Sequence, residues 1–220
     1  MSPATAPLVP DLKPRLRGVS HQWAFFVSLV AGAVLVASAG DGRARLAVGI
    51  YAASVAGLFG TSALYHRVNW RSLSARRWMR RLDHSMIFVL IAGTYTPFAL
   101  LVLEGTLATA ILVTVWAGAA AGVIFKLVWI DAPKWLIASL YIAVGWVAVA
   151  AFPQMWTRLG VTPTMLVAAG GLLYTLGAVT YAIKRPDPSP RVFGYHEVFH
   201  ALVIAAAALQ YAVIAFWVLG

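Results

Sequence analysis

The stretch that decides the fold is HEVFHALVIAAAALQYAVIAFWVL, residues 196–219. It begins with two histidines four residues apart and continues through residues that are almost all apolar. About 20 such residues are enough for an α-helix to cross the hydrocarbon core of a bilayer, which is about 30 Å thick. The stretch therefore predicts a membrane-spanning helix whose first turns carry two ionisable side chains.

Six further apolar runs of similar length lie upstream, separated by short links. They cover residues 22–40, 45–66, 82–103, 106–128, 134–152 and 162–183. Of the 220 residues, 61% are hydrophobic and 11% are charged, whereas the charged fraction of soluble domains is about 25%. We therefore predict an all-α integral membrane protein, a seven-transmembrane helix bundle. Residues 21–220 would form its single domain, preceded by a cytoplasmic tail at residues 1–20.

The basic residues lie almost entirely on one side of the predicted helices. Three of them, Arg43, Arg45 and Arg158, belong to the even-numbered segments between helices. The other 14 fall in or beside the odd-numbered segments: Lys13, Arg15, Arg17, Arg67, Arg71, Arg76, Arg77, Arg80, Arg81, Lys126, Lys134, Lys184, Arg185 and Arg191. Because Lys and Arg are enriched in cytoplasmic loops, this predicts a cytoplasmic N-terminus and an outside C-terminus. The net charge of +10 thus indicates topology, and we expect no nucleic-acid partner.

The first apolar run allows a second interpretation. It ends in Ala37-Ser38-Ala39, a sequence typical of a signal-peptide cleavage site after a basic region. Its apolar stretch is longer than the 7–15 residues usual in a signal peptide, which favours a helix that stays in the protein. The other six helices would keep their orientation in either case.

Five polar residues stand at the ends of these runs, all on the basic side. Ser62 and His66 close the second run, Asp83 opens the third, and His196 and His200 open the last. Residues four apart lie on one face of a helix, so each pair points in one direction. Ionisable side chains within a membrane are costly and usually face the protein interior or a cavity. The sequence therefore predicts one shared site near the cytoplasmic face.

The residue types at this site indicate a metal centre. The chain has no cysteine, which leaves histidine and carboxylates as the strong ligands on offer. Three histidines suit tetrahedral zinc with a fourth position left for water, the arrangement of catalytic zinc sites. Asp83 could hold or deprotonate that water, and Ser62 could hydrogen bond to a ligand or to the water. Another divalent ion that histidine binds remains an alternative, as does a purely interfacial role for each histidine.

Three motifs, in order, resemble one protein family. They are SALYH at residues 62–66, LDHSMIF at 82–88 followed by AGTYTPF at 92–98, and FGYHEVFH at 193–200. Together they resemble the haemolysin III family, the bacterial branch of the progestin and adipoQ receptor (PAQR) superfamily. That superfamily includes the adiponectin receptors and is related more distantly to alkaline ceramidases. The resemblance extends from the first helix to the last.

This resemblance carries specific expectations. It implies a seven-helix fold in the bacterial cytoplasmic membrane with Zn²⁺ near the cytoplasmic face. His66, His196 and His200 match the family's zinc ligands, Asp83 matches the aspartate that contacts the zinc-bound water, and Ser62 matches the serine four residues before the first ligand. In the eukaryotic relatives this centre is linked to hydrolysis of lipid amides such as ceramide.

Three functions are compatible with these residues. The first is a zinc-dependent hydrolase of a lipid amide or ester that enters from the bilayer, with Asp83 as general base. The second is a receptor or regulator of membrane state in which the zinc is structural. The third is a lytic pore, as the haemolysin name suggests, although no helix carries the repeated polar stripe that a conducting lumen would need. Membrane lipids are the partners implied, and no protein partner is.

Other polar residues receive simpler interpretations. His84 follows Asp83 directly, about 100° around the helix, and is expected to point away from the centre and extend to the interface. Glu197 is expected to pair with a loop residue such as Arg191. The cluster at Arg76, Arg77, Arg80 and Arg81 would bind anionic lipid head groups, fix topology, or both.

Overall fold

The computed structural model describes residues 13–220, and in this part of the chain the architecture is all-helical. Seven of its helices are long and apolar enough to cross a membrane: Val19–Ser38, Gly42–Arg67, Leu73–Leu101, Gly105–Val128, Lys134–Leu159, Val161–Ile183 and Tyr195–Val218. They are called the first to seventh helices below. The prediction of an all-α, seven-helix, multi-pass membrane protein is confirmed. The orientation of the termini and the division into tail and domain stay predictions.

The helix boundaries follow the apolar runs closely, with one clear difference. The third helix begins at Leu73, well before the apolar run that starts at residue 82. Ser72 caps it, because the side-chain oxygen accepts a hydrogen bond from the backbone N–H of Ala75 at 3.3 Å. The arginine-rich turns that follow the cap are therefore helical, and the helix extends beyond its apolar part.

The helices pack mostly against their neighbours in the sequence. The second helix packs against the first and the third, the third also against the fourth, and the sixth against both the fifth and the seventh. The first helix also contacts the seventh, which closes the bundle. Small residues permit the close approaches: a Cβ atom at Gly93 would overlap the Ser54 side chain, and one at Gly122 would overlap the Phe88 ring. The third helix is thus in close contact with the second at Gly93, and the fourth with the third at Gly122.

The fifth helix is not regular along its length. An α-helical part, Lys134–Gly145, gives way to a 3₁₀ stretch, Trp146–Ala151, before the α-helix resumes at Phe152–Leu159. Tyr95 of the third helix holds this break. Its hydroxyl donates to the carbonyl of Gly145 at 2.5 Å and accepts from the backbone N–H of Ala148 at 2.6 Å. The backbone groups freed by the change of helix type are thereby satisfied inside the bundle.

The segment before the first helix lies along the loop that precedes the seventh. The backbone N–H of Arg15 donates to the carbonyl of Arg191 at 3.0 Å, and that of Leu16 to the carbonyl of Val192 at 3.1 Å. Residues 1–12 of the predicted tail lie outside the described part of the chain. The last described residues of the tail are thus fastened over the end of the bundle that carries the predicted site.

Candidate metal centre

The structure brings three predicted ligands together at one end of the bundle. His66 stands in the last turn of the second helix, and His196 and His200 stand in the first turns of the seventh. All three are buried, and their ligand atoms lie within 4.8 Å of one another. His66 Nε2 and His196 Nε2 are only 3.1 Å apart. A buried group of this kind can hold a metal ion.

The triad has the spacing of a histidine-bound metal site. Nitrogens bound to tetrahedral zinc at about 2.0–2.1 Å are roughly 3.3 Å apart, close to the separation of the His66 and His196 nitrogens. The Nδ1 atom of His200 is buried and has no hydrogen-bond partner among the described residues. The three imidazoles therefore fit a metal ion, and imidazole nitrogen is a ligand common to zinc, copper, iron and nickel.

Asp83 lies beside this triad without joining it. One carboxylate oxygen, Oδ2, is 4.0 Å from His66 Nε2, and the residue is only 8% exposed. This separation is too long for a hydrogen bond. It suits a carboxylate that faces a molecule bound next to the ligands. Asp83 thus lies next to the predicted ligands, and its chemical role stays a prediction.

Ser62 has a partner that the sequence did not indicate. Its Oγ lies 2.8 Å from Nδ1 of His21, at the start of the first helix. The ring of His21 stacks on the ring of His200, with centroids 3.6 Å apart and planes inclined by 8°. The sequence did contain a signal for His21, namely its position. It directly precedes the first apolar run, at the basic end of that run, and the other four histidines also lie near the basic ends of their runs.

The interpretation of His84 was wrong in one respect. The residue is not at the interface, because it is only 8% exposed and its Nε2 lies 3.3 Å from the hydroxyl of Tyr181. The early start of the third helix explains this, since His84 stands in its interior rather than at its end. It remains outside the triad, as expected, but lines a cavity that His196 and His200 also line.

Glu197 pairs with Arg17 rather than with Arg191. Its Oε1 lies 2.5 Å from the Nε of Arg17, and its Oε2 accepts the backbone N–H of Gly194 at 2.9 Å. Glu197 is 1% exposed. The reason is the path of the chain: the segment before the first helix crosses the start of the seventh and brings Arg17 with it. The carboxylate therefore fixes the helix turn that carries His196 and His200.

Three members of the arginine cluster have partners within the protein. Arg80 and Arg77 lie 2.8 Å and 3.6 Å from the carboxylate oxygens of Asp131. Arg81 donates to the carbonyl of Leu127 at 3.0 Å. These contacts fasten the third helix to the end of the fourth helix and to the link between the fourth and fifth. A lipid-binding role for this cluster stays a prediction.

A cavity of about 290 Å³ extends into the bundle from His196 and His200, two of the three triad residues. Its polar end is lined by His21, Ser62, Asp83, His84, His196 and His200. Beyond them the lining is mostly apolar and reaches Phe98 and Met155. Trp146 of the fifth helix and Leu172 of the sixth also line it, and both are about half exposed on the outer surface, at 51% and 55%. The cavity thus joins the histidines to an apolar space between helices.

Comparison with known proteins identifies the family of this chain. The family model described as Haemolysin-III related matches residues 11–211. The "Hemolysin-3 homolog" of Bacillus subtilis (strain 168) is 31% identical over 168 residues, 76% of this chain and 75% of that protein. "Hemolysin-3" of Bacillus cereus is 30% identical over 206 residues, covering 91% and 90%. The human "Monocyte to macrophage differentiation factor" is 26% identical over 195 residues, covering 87% and 79%. The chain therefore belongs to the haemolysin III family, as its three motifs indicated.

Proposed function

We propose that this protein is a zinc-dependent hydrolase that cleaves a lipid amide or ester taken from the bilayer. The observation that carries the proposal is that His196 and His200 of the buried histidine triad line the polar end of a largely apolar cavity. Ligand pockets are typically about 300–1,000 Å³ and mostly apolar, with a few polar groups that orient the ligand. A lipid would place its amide or ester group at the histidines and its chain among the apolar residues.

Each residue of the centre has a proposed task. A zinc ion held by His66, His196 and His200 would supply Lewis-acid chemistry, polarising a carbonyl and lowering the pKa of a water to about 7. Asp83 faces the space beside His66 and would accept the proton of the attacking water. Ser62 lines the same space and would donate or accept a hydrogen bond there. The apolar lining excludes bulk water, which strengthens these electrostatic interactions.

The route of the substrate follows from the surroundings of the centre. The segment before the first helix lies over the triad, and a Cβ at Gly18 would be only 2.5 Å from the Cβ of His66. That end of the site is therefore covered by protein. The half-exposed cavity residues Trp146 and Leu172 lie instead on the surface that faces lipid in a membrane-embedded bundle. Arrival of a lipid between the fifth and sixth helices is consistent with both facts.

We also propose a cytoplasmic N-terminus, an outside C-terminus and the bacterial cytoplasmic membrane as the location. The support is the ratio of 14 basic residues on one side to three on the other. The chain has no cysteine, so single cysteines introduced into loops can be labelled without background. A cysteine beside Arg43 should react with a membrane-impermeant maleimide in intact spheroplasts, and one beside Arg185 should not. The reverse pattern would contradict the orientation.

Metal analysis and turnover test the hydrolase together. The purified wild type should contain about one zinc per chain, and the triple variant His66→Ala/His196→Ala/His200→Ala should contain none. Asp83→Asn should retain the zinc and its thermal stability but lose turnover in a screen of lipid amides and esters. Zinc-loaded protein that cleaves no substrate in a broad screen, together with a cellular phenotype unaffected by His196→Ala, would contradict the proposal.

A structural metal is the competing function. It would make stability depend on the three histidines and leave Asp83→Asn with no functional phenotype.

The name of the Bacillus cereus relative suggests lysis as a further candidate. The largely apolar cavity lining does not favour an ion path. Ion flux through protein reconstituted in vesicles would support the pore, and its absence would leave the hydrolase and the structural metal to be separated by Asp83→Asn.

A further inference from the structure

His21 lies at the centre but belongs to none of the three sequence motifs. It lies in the first turn of the first helix and is 2% exposed. Its ring is nearly parallel to that of His200, at 3.6 Å between centroids. On the same ring, Nδ1 is 2.8 Å from Ser62 Oγ. A single side chain from the first helix therefore contacts both helices that supply the triad.

The geometry separates His21 from the ligands themselves. The group of mutually close ligand atoms contains His66, His196 and His200, and His21 is not part of it. A fourth histidine in that group would have closed the coordination sphere, as in structural zinc sites. His21 instead covers one face of the His200 ring. The ring centroids of His21 and Phe59 are 5.0 Å apart. His21 is thus itself held in place by packing.

We propose that His21 is a positioning residue of the metal centre. Its ring restricts rotation of His200, and its Nδ1 fixes the direction of the Ser62 hydroxyl. This inference rests on the proposed metal site, since it concerns how ligands are held for the ion. Partners that orient metal ligands are commonly worth about 10–100-fold in metal affinity or activity. The first helix therefore contributes to the centre without supplying a ligand.

The two contacts of His21 can be removed separately. His21→Phe keeps a flat ring against His200 and loses the hydrogen bond to Ser62. His21→Asn places an amide near the position of Nδ1, so it can keep the hydrogen bond, but it loses the stacked ring. His21→Ala loses both. Cobalt(II) serves as the probe, because its visible absorption spectrum reports the geometry of the bound metal and competition with a chelator reports its affinity.

Each variant has a distinct expected result. His21→Ala should weaken Co²⁺ binding about 10–100-fold. His21→Asn should change the shape of the Co²⁺ spectrum, because His200 can rotate. His21→Phe should leave the Co²⁺ spectrum closer to that of the wild type. The double variant His21→Phe/Ser62→Ala should bind Co²⁺ as tightly as His21→Phe alone, because the hydrogen bond between the two residues is already lost. A strictly additive loss in that double variant would contradict the role assigned to Ser62.

A matched control separates positioning from general destabilisation. Ser28→Ala alters another buried polar residue of the first helix, whose hydroxyl donates, among residues 13–220, only to the carbonyl of Phe25. It should leave Co²⁺ affinity and spectrum unchanged. Thermal unfolding of the metal-free proteins shows whether each variant is folded. If His21→Ala is folded and binds Co²⁺ within threefold of the wild type with an unchanged spectrum, the inference is overturned.

The test also distinguishes this inference from the proposed function. Its readout is bound metal, so loss of Co²⁺ affinity in His21→Ala supports the positioning role even if no lipid is cleaved. Wild-type protein that binds neither Zn²⁺ nor Co²⁺ would overturn the metal centre and the positioning role together. Wild-type protein that binds metal but cleaves no lipid would overturn the hydrolase alone.

Discussion

The buried ion pair between Arg17 and Glu197 allows a quantitative prediction. Replacing Arg17 by alanine leaves a carboxylate that is 1% exposed, with the Gly194 N–H as its remaining partner. Breaking a buried ion pair from one side typically costs about 3–5 kcal/mol, because an uncompensated charge is left behind. Arg17 itself is 19% exposed, so part of the pair is solvated and the lower half of that range is expected.

The assay is thermal unfolding in detergent micelles, compared with a surface pair in the same protein. Arg158 and Glu104 also form an ion pair, but their side chains are 40% and 66% exposed. Exposed pairs contribute about 0–1 kcal/mol. For a chain of this size a change of 1 kcal/mol shifts the melting temperature by about 2–4 °C. Arg17→Ala should therefore lower it by roughly 6–16 °C, and Arg158→Ala by less than about 4 °C.

The result that would refute this reasoning is an equal, small effect of the two substitutions. Glu197→Gln gives a further check. It removes the buried charge and can keep the hydrogen bond to Gly194, so it should cost less than Arg17→Ala. A larger loss in Glu197→Gln would mean that the pair stabilises the fold through its charge rather than through avoidance of an unpaired carboxylate.

Two further predictions concern the walls of the site. Gly18→Ala should lower the metal content of the purified protein. Gly18 has a φ of +79°, and a new Cβ there would lie 2.5 Å from the Cβ of His66. Gly40→Ala serves as the control and should leave the metal content unchanged, because no atom lies within 4 Å of a Cβ at that position. Tyr95→Phe should destabilise the protein by about 1–3 kcal/mol in thermal unfolding, because two backbone groups at the break in the fifth helix lose their partner. Tyr211→Phe, which removes one longer bond of 3.2 Å, should cost less, and equal losses would contradict the role of the break.

The fold was predictable because its signal is local. Each membrane helix is a run of apolar residues whose length alone indicates a span, and all seven were found in this way. The 3₁₀ stretch at Trp146–Ala151 was not predictable, because its residues are as apolar as their neighbours and its stabilising partner, Tyr95, is on another helix. The start of the third helix was also missed, since its first turns are basic rather than apolar.

The site was predictable only in part. A spacing of four residues reveals which side chains share a face, so His196 and His200 could be paired from the sequence. The contact between His21 and Ser62 joins residues 41 positions apart, and no periodicity relates them. His84 and Glu197 were assigned incorrect surroundings for the same reason. Their neighbours are set by how the helix ends and the preceding segments cross.

The segment before the first helix crosses the start of the seventh helix, and this has a consequence for biogenesis. Residues Arg17 and Glu197 are 180 positions apart, and the seventh helix is translated after the other six. Until that helix is inserted, His66 lacks the other two histidines of the triad, and Arg17 lacks Glu197. The triad therefore forms only after the other six helices have been made, and a metal held by it would be acquired by a fully inserted chain rather than during synthesis.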